Sequence, residues 1–333
     1  LRIELDVHDY EMTVTGQMNT AHQGSLPGGH NRERSNLMRR QLKHLACFLA
    51  LLFILSAGPA LAKVVYQCPS QQGVPGSYNG DLGAWVSNDG TIACIHLVAT
   101  DGFANMAAKN GTAPSGRLLY TFGFTNVTGV PGHDTDAILA YAELGAEFPA
   151  PTINVKQGQQ LYLTLTNRSF ALRPDLFDGH SVHWHGFPNA ISAFDGEPMA
   201  SFGVFPGASF TYYYKINDPG TYMYHCHVEA TEHMQMGMLG NLYVRPAQDG
   251  TAIEYLGKTY TTFAYNDGDG STGYNTAYPL QITSFDPIFH DADQNVQPLP
   301  FAAMTDVYPM FNGRGYPDTV NPGVLRNSYN NWP

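Results

Sequence analysis

A cysteine between two histidines, His225-Cys226-His227, constrains this chain more than any other feature. Successive side chains of a β-strand point to opposite faces, and residues two apart share a face. If residues 222–227 form a strand, His225 and His227 face one side while Cys226 faces the other. The run therefore predicts a strand that carries different chemistry on its two faces.

A second histidine-rich stretch repeats this spacing. His183 and His185 are two residues apart, which predicts another strand with both imidazoles on one face. His180 precedes His183 by three residues, an odd offset, so we expect it to point to the same side as Cys226. The Asp-Gly pair just before His180 indicates a loop or bulge there.

The donors on the Cys226 side suit copper. His233 follows Cys226 by seven residues, and three methionines follow it: Met234, Met236 and Met238. A thiolate, two imidazoles and a weak thioether form a type 1 copper site, whereas a closed zinc site uses four strong ligands. Met234 and Met236 are more typical of packing residues.

These motifs resemble those of the multicopper oxidases, densely over residues 117–246. The resemblance is carried by His180-x2-His183-x-His185-Gly186, Phe205-Pro206-Gly207, Pro219-Gly220-Thr221-Tyr222-x-Tyr224-His225-Cys226-His227, the His233/Met238 tail and Phe148-Pro149-Ala150-Pro151-Thr152-Ile153-x-Val155-x2-Gly158. It implies an all-β fold, a cupredoxin-like Greek-key β-sandwich, followed by an incomplete second cupredoxin-like domain.

The resemblance also implies a role for each ligand. The implied ligands are His180, Cys226, His233 and Met238 for type 1 copper, His183 for type 2 copper, and His185, His225 and His227 for the type 3 pair. The five-residue step from His233 selects Met238 as axial ligand, with Met236 as the alternative. Cys226, His225 and His227 would relay electrons from a small reducing substrate, a phenol or a metal ion, to oxygen.

Two departures from the family pattern stand out. Six residues separate Cys226 from His233, where the laccase-like pattern has four, which we interpret as tuning of the site. A trinuclear cluster in this family takes eight histidines, and this chain supplies four. Identical copies would bring the same half, so a missing second domain would have to provide the rest, or the cluster is not made. Two-domain members of the family that begin with the type 1 domain assemble as homotrimers.

The chain divides into five predicted segments. Residues 1–37 are polar and aperiodic, begin with Leu1, and are interpreted as lying upstream of the native protein. Residues 38–62 have the charged start, short apolar run and Ala-Leu-Ala site of a signal peptide, which predicts a periplasmic or secreted protein without a membrane span after processing. Residues 63–116 are predicted to be an irregular extension, 117–246 the copper domain, and 247–333 the start of a second, truncated domain. The alternative for 247–333 is a C-terminal arm that wraps the first domain or a neighbour.

The net charge of the chain restricts the kinds of partner that it can bind. From Lys63 onward, 11 Lys and Arg oppose 23 Asp and Glu, a net charge of −12, which argues against nucleic acid. Cys68 and Cys94 form an even pair in an exported chain, which predicts a disulfide.

Short β-branched and aromatic runs separated by Gly, Pro, Asn and Asp clusters predict a β-sandwich from Arg117 onward, and residues 260–265 predict a further strand.

Two other functions remain open at this stage. One is a copper nitrite reductase-like enzyme with an intersubunit type 2 copper, although His183 and His227 favour the oxidase. The other is a type 1 copper electron carrier, which has no need of the paired histidines. The identity of the reducing substrate is not encoded in any motif of the chain.

Overall fold

The computed structural model describes residues 64–106 and 117–320. The predicted upstream segment and signal peptide lie outside these residues. Within them the fold is mostly β, which confirms the predicted fold class. No helix in the described ranges is long and apolar enough to cross a bilayer.

Two sheets form the body of the protein. The larger sheet contains β1 (Gly76–Asn79), β2 (Ala84–Ser87), β3 (Ile92–Asn105), β4 (Leu118–Asn126), β6 (Gln160–Asn167) and β8 (Ser209–Lys215). The smaller contains β5 (Ala150–Lys156), β7 (His183–His185), β9 (Gly220–His225) and β10 (Leu239–Arg245), in the order β5-β10-β9-β7. The short β-branched and aromatic runs from which strands are predicted lie within these elements, at residues 118–122, 153–155, 161–165 and 210–214.

The expectation of an irregular segment at 63–116 is wrong for its central part. Strand β3 occupies the middle of the larger sheet, antiparallel to β2 and β4 and parallel to β6. Almost all of its 14 residues are buried. A strand that is buried on both faces has a continuous apolar run instead of the alternation expected of a half-exposed strand, and this concealed β3 in the sequence.

The core lies between the two sheets. Leu97 of β3 and Leu163 of β6 pack from the larger sheet against a cluster that includes Ile153 of β5 and Leu242 of β10 from the smaller one. Burial of such side chains contributes about 1.5–3 kcal/mol each. The sandwich therefore gives β7 and β9, which carry the histidines, a rigid support.

The predicted disulfide is confirmed. Cys68 and Cys94 are bonded, and Cys94 belongs to β3. The bond tethers the start of the described chain to the middle of the larger sheet. Cys226 is then the only free cysteine among the described residues.

The described residues also contain three α-helices: α1 (Thr135–Tyr141), α2 (Ala230–Met236) and α3 (Pro287–Gln294). Helix α2 carries His233 and lies between β9 and β10. Asp134 caps α1 by accepting a hydrogen bond from the backbone N–H of Ala137.

Residues 247–320 form small elements instead of a further sandwich within the described range. They contain a hairpin of β11 (Ile253–Tyr255) with β12 (Lys258–Tyr260), and an antiparallel pair of β13 (Ile282–Phe285) with β14 (Tyr308–Phe311), whose connection includes the helix Pro287–Gln294. The prediction of a strand at 260–265 is wrong beyond Tyr260, where β12 ends. Phe285 packs on Phe148 with ring centroids 4.3 Å apart. That this segment begins a second domain stays a prediction.

Candidate metal centre

Strands β7 and β9 lie side by side at one edge of the smaller sheet, with His183 opposite His225. Trp184 and Tyr224 are fully buried and face the core, where Trp184 stacks on Tyr214 with centroids 4.1 Å apart. Because side chains alternate along a strand, the histidines beside these aromatic residues face the other way. Core packing therefore sets the direction of the imidazoles.

Cys226 lies just after β9 on the core side, next to two predicted partners. Its Sγ is 3.2 Å from His233 Nδ1 and 3.8 Å from His180 Nδ1, and all three side chains are buried. The three donor atoms lie within 4.8 Å of one another. The backbone N–H of Ser181 donates to the sulfur at 3.4 Å. Two imidazole nitrogens and one thiolate around a common space fit copper, which favours a trigonal His₂Cys arrangement.

The backbone of Met238 forms hydrogen bonds with two residues of this cluster, Cys226 and His233. Its carbonyl oxygen accepts from the Cys226 N–H at 3.1 Å, and its own N–H donates to the His233 carbonyl at 2.8 Å. The Met238 side chain is fully buried, and so is that of Met236. Its place beside the cluster is compatible with the axial role, which stays a prediction.

The pKa values of the two imidazoles beside Cys226 are shifted in opposite directions. Burial, with the neighbouring His233, holds the pKa of His180 well below its usual range. Burial also opposes protonation of His233, but the Cys226 sulfur and Asp178 outweigh it and raise the pKa of His233 to about 10. Without metal, His233 therefore carries a proton that a bound copper ion has to displace.

The other face of β7 and β9 carries the remaining predicted ligands. Nitrogen atoms of His183, His185 and His225 lie within 4.8 Å of one another, and His185 Nδ1 is 3.2 Å from His225 Nε2. His227 is outside that set, although its ring centroid is 4.9 Å from that of His183. Burial is the main factor that lowers the pKa of His225, to about 4, which leaves its imidazole neutral and able to bind metal.

Backbone carbonyls orient two of these rings. His183 Nδ1 donates to the Asp195 carbonyl at 2.7 Å, and His225 Nδ1 donates to the Cys226 carbonyl at 2.8 Å. Nδ1 held by a carbonyl while Nε2 faces the metal is the way ligating histidines are commonly oriented. Nε2 of His225 lies 3.2 Å from His185 Nδ1, so a metal ion would replace that contact. The group is open on one side, since His185 is exposed.

Sequence reasoning missed the carboxylates around both groups. Asp195 lies beside His183, with its Oδ1 3.5 Å from Nδ1. Glu229 and Asp178 lie near the other ring nitrogen of His233, at 3.7 and 3.9 Å. The four-residue step from Glu229 to His233, one helical turn, was the available signal.

Known proteins resemble the part of the chain that contains these groups. Residues 134–249 match the family model described as multicopper oxidase. The chain is 31% identical over 160 residues to multicopper oxidase MmcO of Mycobacterium tuberculosis, covering 46% of this chain and 29% of that protein. It is 31% identical over 107 residues to L-ascorbate oxidase of Cucurbita pepo var. melopepo, covering 32% of this chain and 18% of that protein.

Two further proteins resemble the chain, one over a short range and the other at low sequence identity. Copper resistance protein A of Pseudomonas syringae pv. tomato is 36% identical over 100 residues, 29% of this chain and 14% of that protein. The crystal structure of blue copper oxidase from Nitrosomonas europaea gives a TM-score of 0.47 at 23% identity, covering 68% of this chain and 54% of that one. The chain thus spans less than a third of the length of these three curated relatives.

Proposed function

We propose that this chain, whose residues 134–249 match the multicopper oxidase family model, belongs to that family and is an exported copper-dependent oxidase. It would take single electrons from a phenol or a metal ion and pass them to oxygen. The observation that carries the proposal is the placement of two ligand groups, around Cys226 and around His183, on opposite sides of β9. A simple binding protein needs only one of them.

Each group of residues has a distinct task. His180, Cys226, His233 and Met238 would hold type 1 copper in a buried space from which water is excluded. His183 would hold type 2 copper, and His185, His225 and His227 the type 3 pair. Copper, when bound, supplies one-electron chemistry at the first group and oxygen reduction at the second.

The chain provides a short route between the two groups. Cys226 and His225 are consecutive residues, and the His225 ring also donates to the Cys226 carbonyl. An electron arriving at the sulfur therefore has two paths to that imidazole, one covalent and one through a hydrogen bond. His227, the other neighbour of Cys226, gives a second covalent path.

The exposed face of β7 and β9 is proposed to contact another domain. Four histidines are half of the set that the family uses, and identical copies would supply the same half. We therefore propose that a different cupredoxin-like domain brings the rest. Export is proposed from the signal-like residues 38–62, and the Cys68–Cys94 disulfide is typical of oxidising compartments such as the periplasm.

Oxygen uptake tests this function. The copper-loaded protein, purified together with any domain that it binds, is given hydroquinone, and oxygen consumption and peroxide release are followed together. The proposal predicts uptake with one oxygen molecule per four electrons and no peroxide, because reduction to water takes four electrons. A Cys226→Ser variant is the control, and it is expected to lose uptake. Uptake by the wild type that does not exceed this control contradicts the oxidase.

An electron carrier is the second candidate, favoured by the four histidines that the chain lacks. A carrier predicts rapid reduction of the copper at Cys226 by hydroquinone without oxygen uptake. It also predicts that His183→Ala leaves the copper content unchanged, whereas the oxidase predicts a loss.

A further inference from the structure

A cavity of about 490 Å³ lies on the outer face of the smaller sheet, near the start of strand β9. Three residues of neighbouring strands line it side by side: Asn154 of β5, Tyr243 of β10 and Thr221 of β9. Ile153 and Leu242, which precede the first two, point into the core, so Asn154 and Tyr243 face outward. Thr221 pairs with Tyr243 and faces the same way. The cavity is within the size range of small-molecule sites, about 300–1,000 Å³.

Aromatic rings form much of the remaining lining. The segment 263–280 lies against this face of the sheet and contributes Phe263, Tyr265, Tyr274 and Tyr278. Phe263 is fully buried, whereas Tyr278 is 82% exposed and belongs to the rim. Each tyrosine combines a flat apolar ring with a hydroxyl that donates and accepts hydrogen bonds. The lining therefore suits a ligand that has a flat apolar face bordered by several hydroxyl groups.

One polar atom of the lining is without a hydrogen-bond partner in the described structure. This atom is the buried Oδ1 of Asn154. Buried polar atoms are normally satisfied, and an amide oxygen accepts, so the missing partner is a donor. The torsion that turns the amide has a broad energy profile, and a small rotation would let this oxygen accept from a ligand in the cavity.

Arg245 is the one charged residue in the described lining of the cavity. It follows Tyr243 by two residues and shares its outward face. Its Nε is 3.9 Å from Asp249 Oδ2, which is too long for a hydrogen bond. Lys156 pairs with Arg245 across β5 and β10, and its Nζ donates to the Asp249 carbonyl oxygen at 3.1 Å. Two cationic side chains beside one carboxylate, in a chain whose net charge is −11, favour an anionic ligand.

We propose that this cavity binds an acidic sugar, a hexuronate, either free or as a unit of a polysaccharide. The Arg245 guanidinium would hold the carboxylate through two parallel hydrogen bonds, as arginine commonly does. The tyrosine rings would contact the C–H face of the sugar, and Asn154 Oδ1 would accept from a sugar hydroxyl. An aromatic acid shares the carboxylate and the flat face but brings few hydroxyls, so it would leave much of the polar lining unmatched.

The site is separate from the copper-binding groups. Thr221 precedes His225 by four residues on β9, which places the cavity about 13 Å along the strand from the histidines, at about 3.3 Å per residue. None of the copper-binding residues lines it. The inference is therefore independent of the proposed oxidase function.

Calorimetric titration of the copper-loaded full chain tests the site with three ligands. Galacturonate carries a carboxylate where galactose carries a hydroxymethyl group, and benzoate is an aromatic acid without hydroxyls. We expect galacturonate to bind about 10- to 100-fold more tightly than galactose, the range that hydrogen bonds to a charged group supply. Benzoate is also expected to bind more weakly than galacturonate. Binding of galacturonate that is no tighter than that of galactose or benzoate overturns the assignment.

Two exposed side chains are replaced to separate binding from folding. Arg245→Gln is expected to lower the affinity for galacturonate to that for galactose and to leave galactose binding unchanged. Tyr278→Ala is expected to weaken the binding of both sugars about threefold or more, because a ring contact is lost. Arg117→Gln is the matched control, since the Arg117 side chain is 44% exposed and that of Arg245 is 46% exposed. Equal losses in Arg245→Gln and Arg117→Gln overturn the site.

Trigalacturonate distinguishes the two sources of the ligand. Affinity for the trimer that is about tenfold or more above that for the single sugar assigns the site to a polysaccharide. Equal affinities assign it to the free sugar acid. Absence of binding by both overturns the proposal.

Discussion

His225 is the last residue of strand β9 and Cys226 follows it directly, yet their side chains belong to two different groups of metal-binding atoms. Cys226 Sγ is 3.2 Å from His233 Nδ1, and His225 Nε2 is 3.2 Å from His185 Nδ1. A strand is the element that produces this separation, since adjacent side chains point in opposite directions. The two groups are therefore linked by the shortest route that a protein chain allows.

Replacing Cys226 by serine tests the first group. The hydroxyl is nearly the same size as the thiol but is a poor copper ligand, so we expect loss of the blue thiolate-to-copper absorption with the fold retained. Visible absorption and far-UV circular dichroism of the copper-loaded protein give the two readouts. Retention of the blue band in Cys226→Ser would rule out the thiolate as ligand.

Replacing each methionine by leucine identifies the axial ligand. Loss of a thioether donor destabilises Cu²⁺ relative to Cu⁺, so Met238→Leu is expected to raise the reduction potential by about 60 mV or more, a tenfold change for one electron. Met236→Leu and Met234→Leu are expected to leave the potential unchanged. Redox titration of the blue band measures it, and a shift confined to Met236→Leu would transfer the axial role to Met236.

Much of this site was predictable from the sequence. The i, i+2 spacing of His183 and His185 needs no tertiary information, because alternation is a local property of strands. The partners of His233 depend on how α2 and the 170–180 loop pack, so Asp178 was not identified. Strand β3 was missed because burial on both faces removes alternation, and the short strands β11 to β14 lack the length to give a clear pattern.

The buried His290 makes stability sensitive to acid. Burial lowers the pKa of His290 to about 4, against the opposing hydrogen bond of its Nδ1 to the Tyr120 carbonyl. The unfolded chain binds this proton near pH 6.5, so the free energy of unfolding falls as the pH drops from 6.5 to 4, by about 3 kcal/mol for this group.

Urea unfolding at pH 7 and pH 4.5 measures this effect. His290→Asn keeps an N–H donor but cannot titrate, so the variant is expected to lose less stability on acidification than the wild type. Identical losses in the two proteins would show that His290 does not contribute.

The ion pair between Arg173 and Asp293 is expected to hold the C-terminal segment in place. The Asp293 side chain is 1% exposed, so Arg173→Leu leaves a buried unpaired carboxylate and is expected to destabilise the protein by about 3–5 kcal/mol at pH 7. Burial raises the pKa of Asp293 to about 6, so protonation is expected to reduce this cost at pH 5.

The chain offers a matched control for this change. Arg117 pairs with Asp291 of the same helix, but both side chains are more than 40% exposed. Arg117→Leu is therefore expected to cost about 1 kcal/mol or less. Chemical denaturation of both variants gives the comparison, and equal costs would contradict the role assigned to the buried pair.

Removal of the disulfide is expected to weaken the larger sheet. Cys68 and Cys94 are 26 residues apart, and a cross-link of that loop length contributes about 3–4 kcal/mol. A Cys68→Ala, Cys94→Ala double variant is compared with the wild type by denaturant unfolding under oxidising conditions. With reducing agent present the difference should disappear, and a difference that persists would point to a packing effect.

The most direct test of the account is the number of copper ions per chain in the copper-saturated protein, purified together with any domain that it binds. The account predicts about four, one at Cys226 and the others at the histidine face, with the latter lost in His183→Ala. About one copper per chain, retained in His183→Ala and lost in Cys226→Ser, would contradict the oxidase and leave an electron carrier.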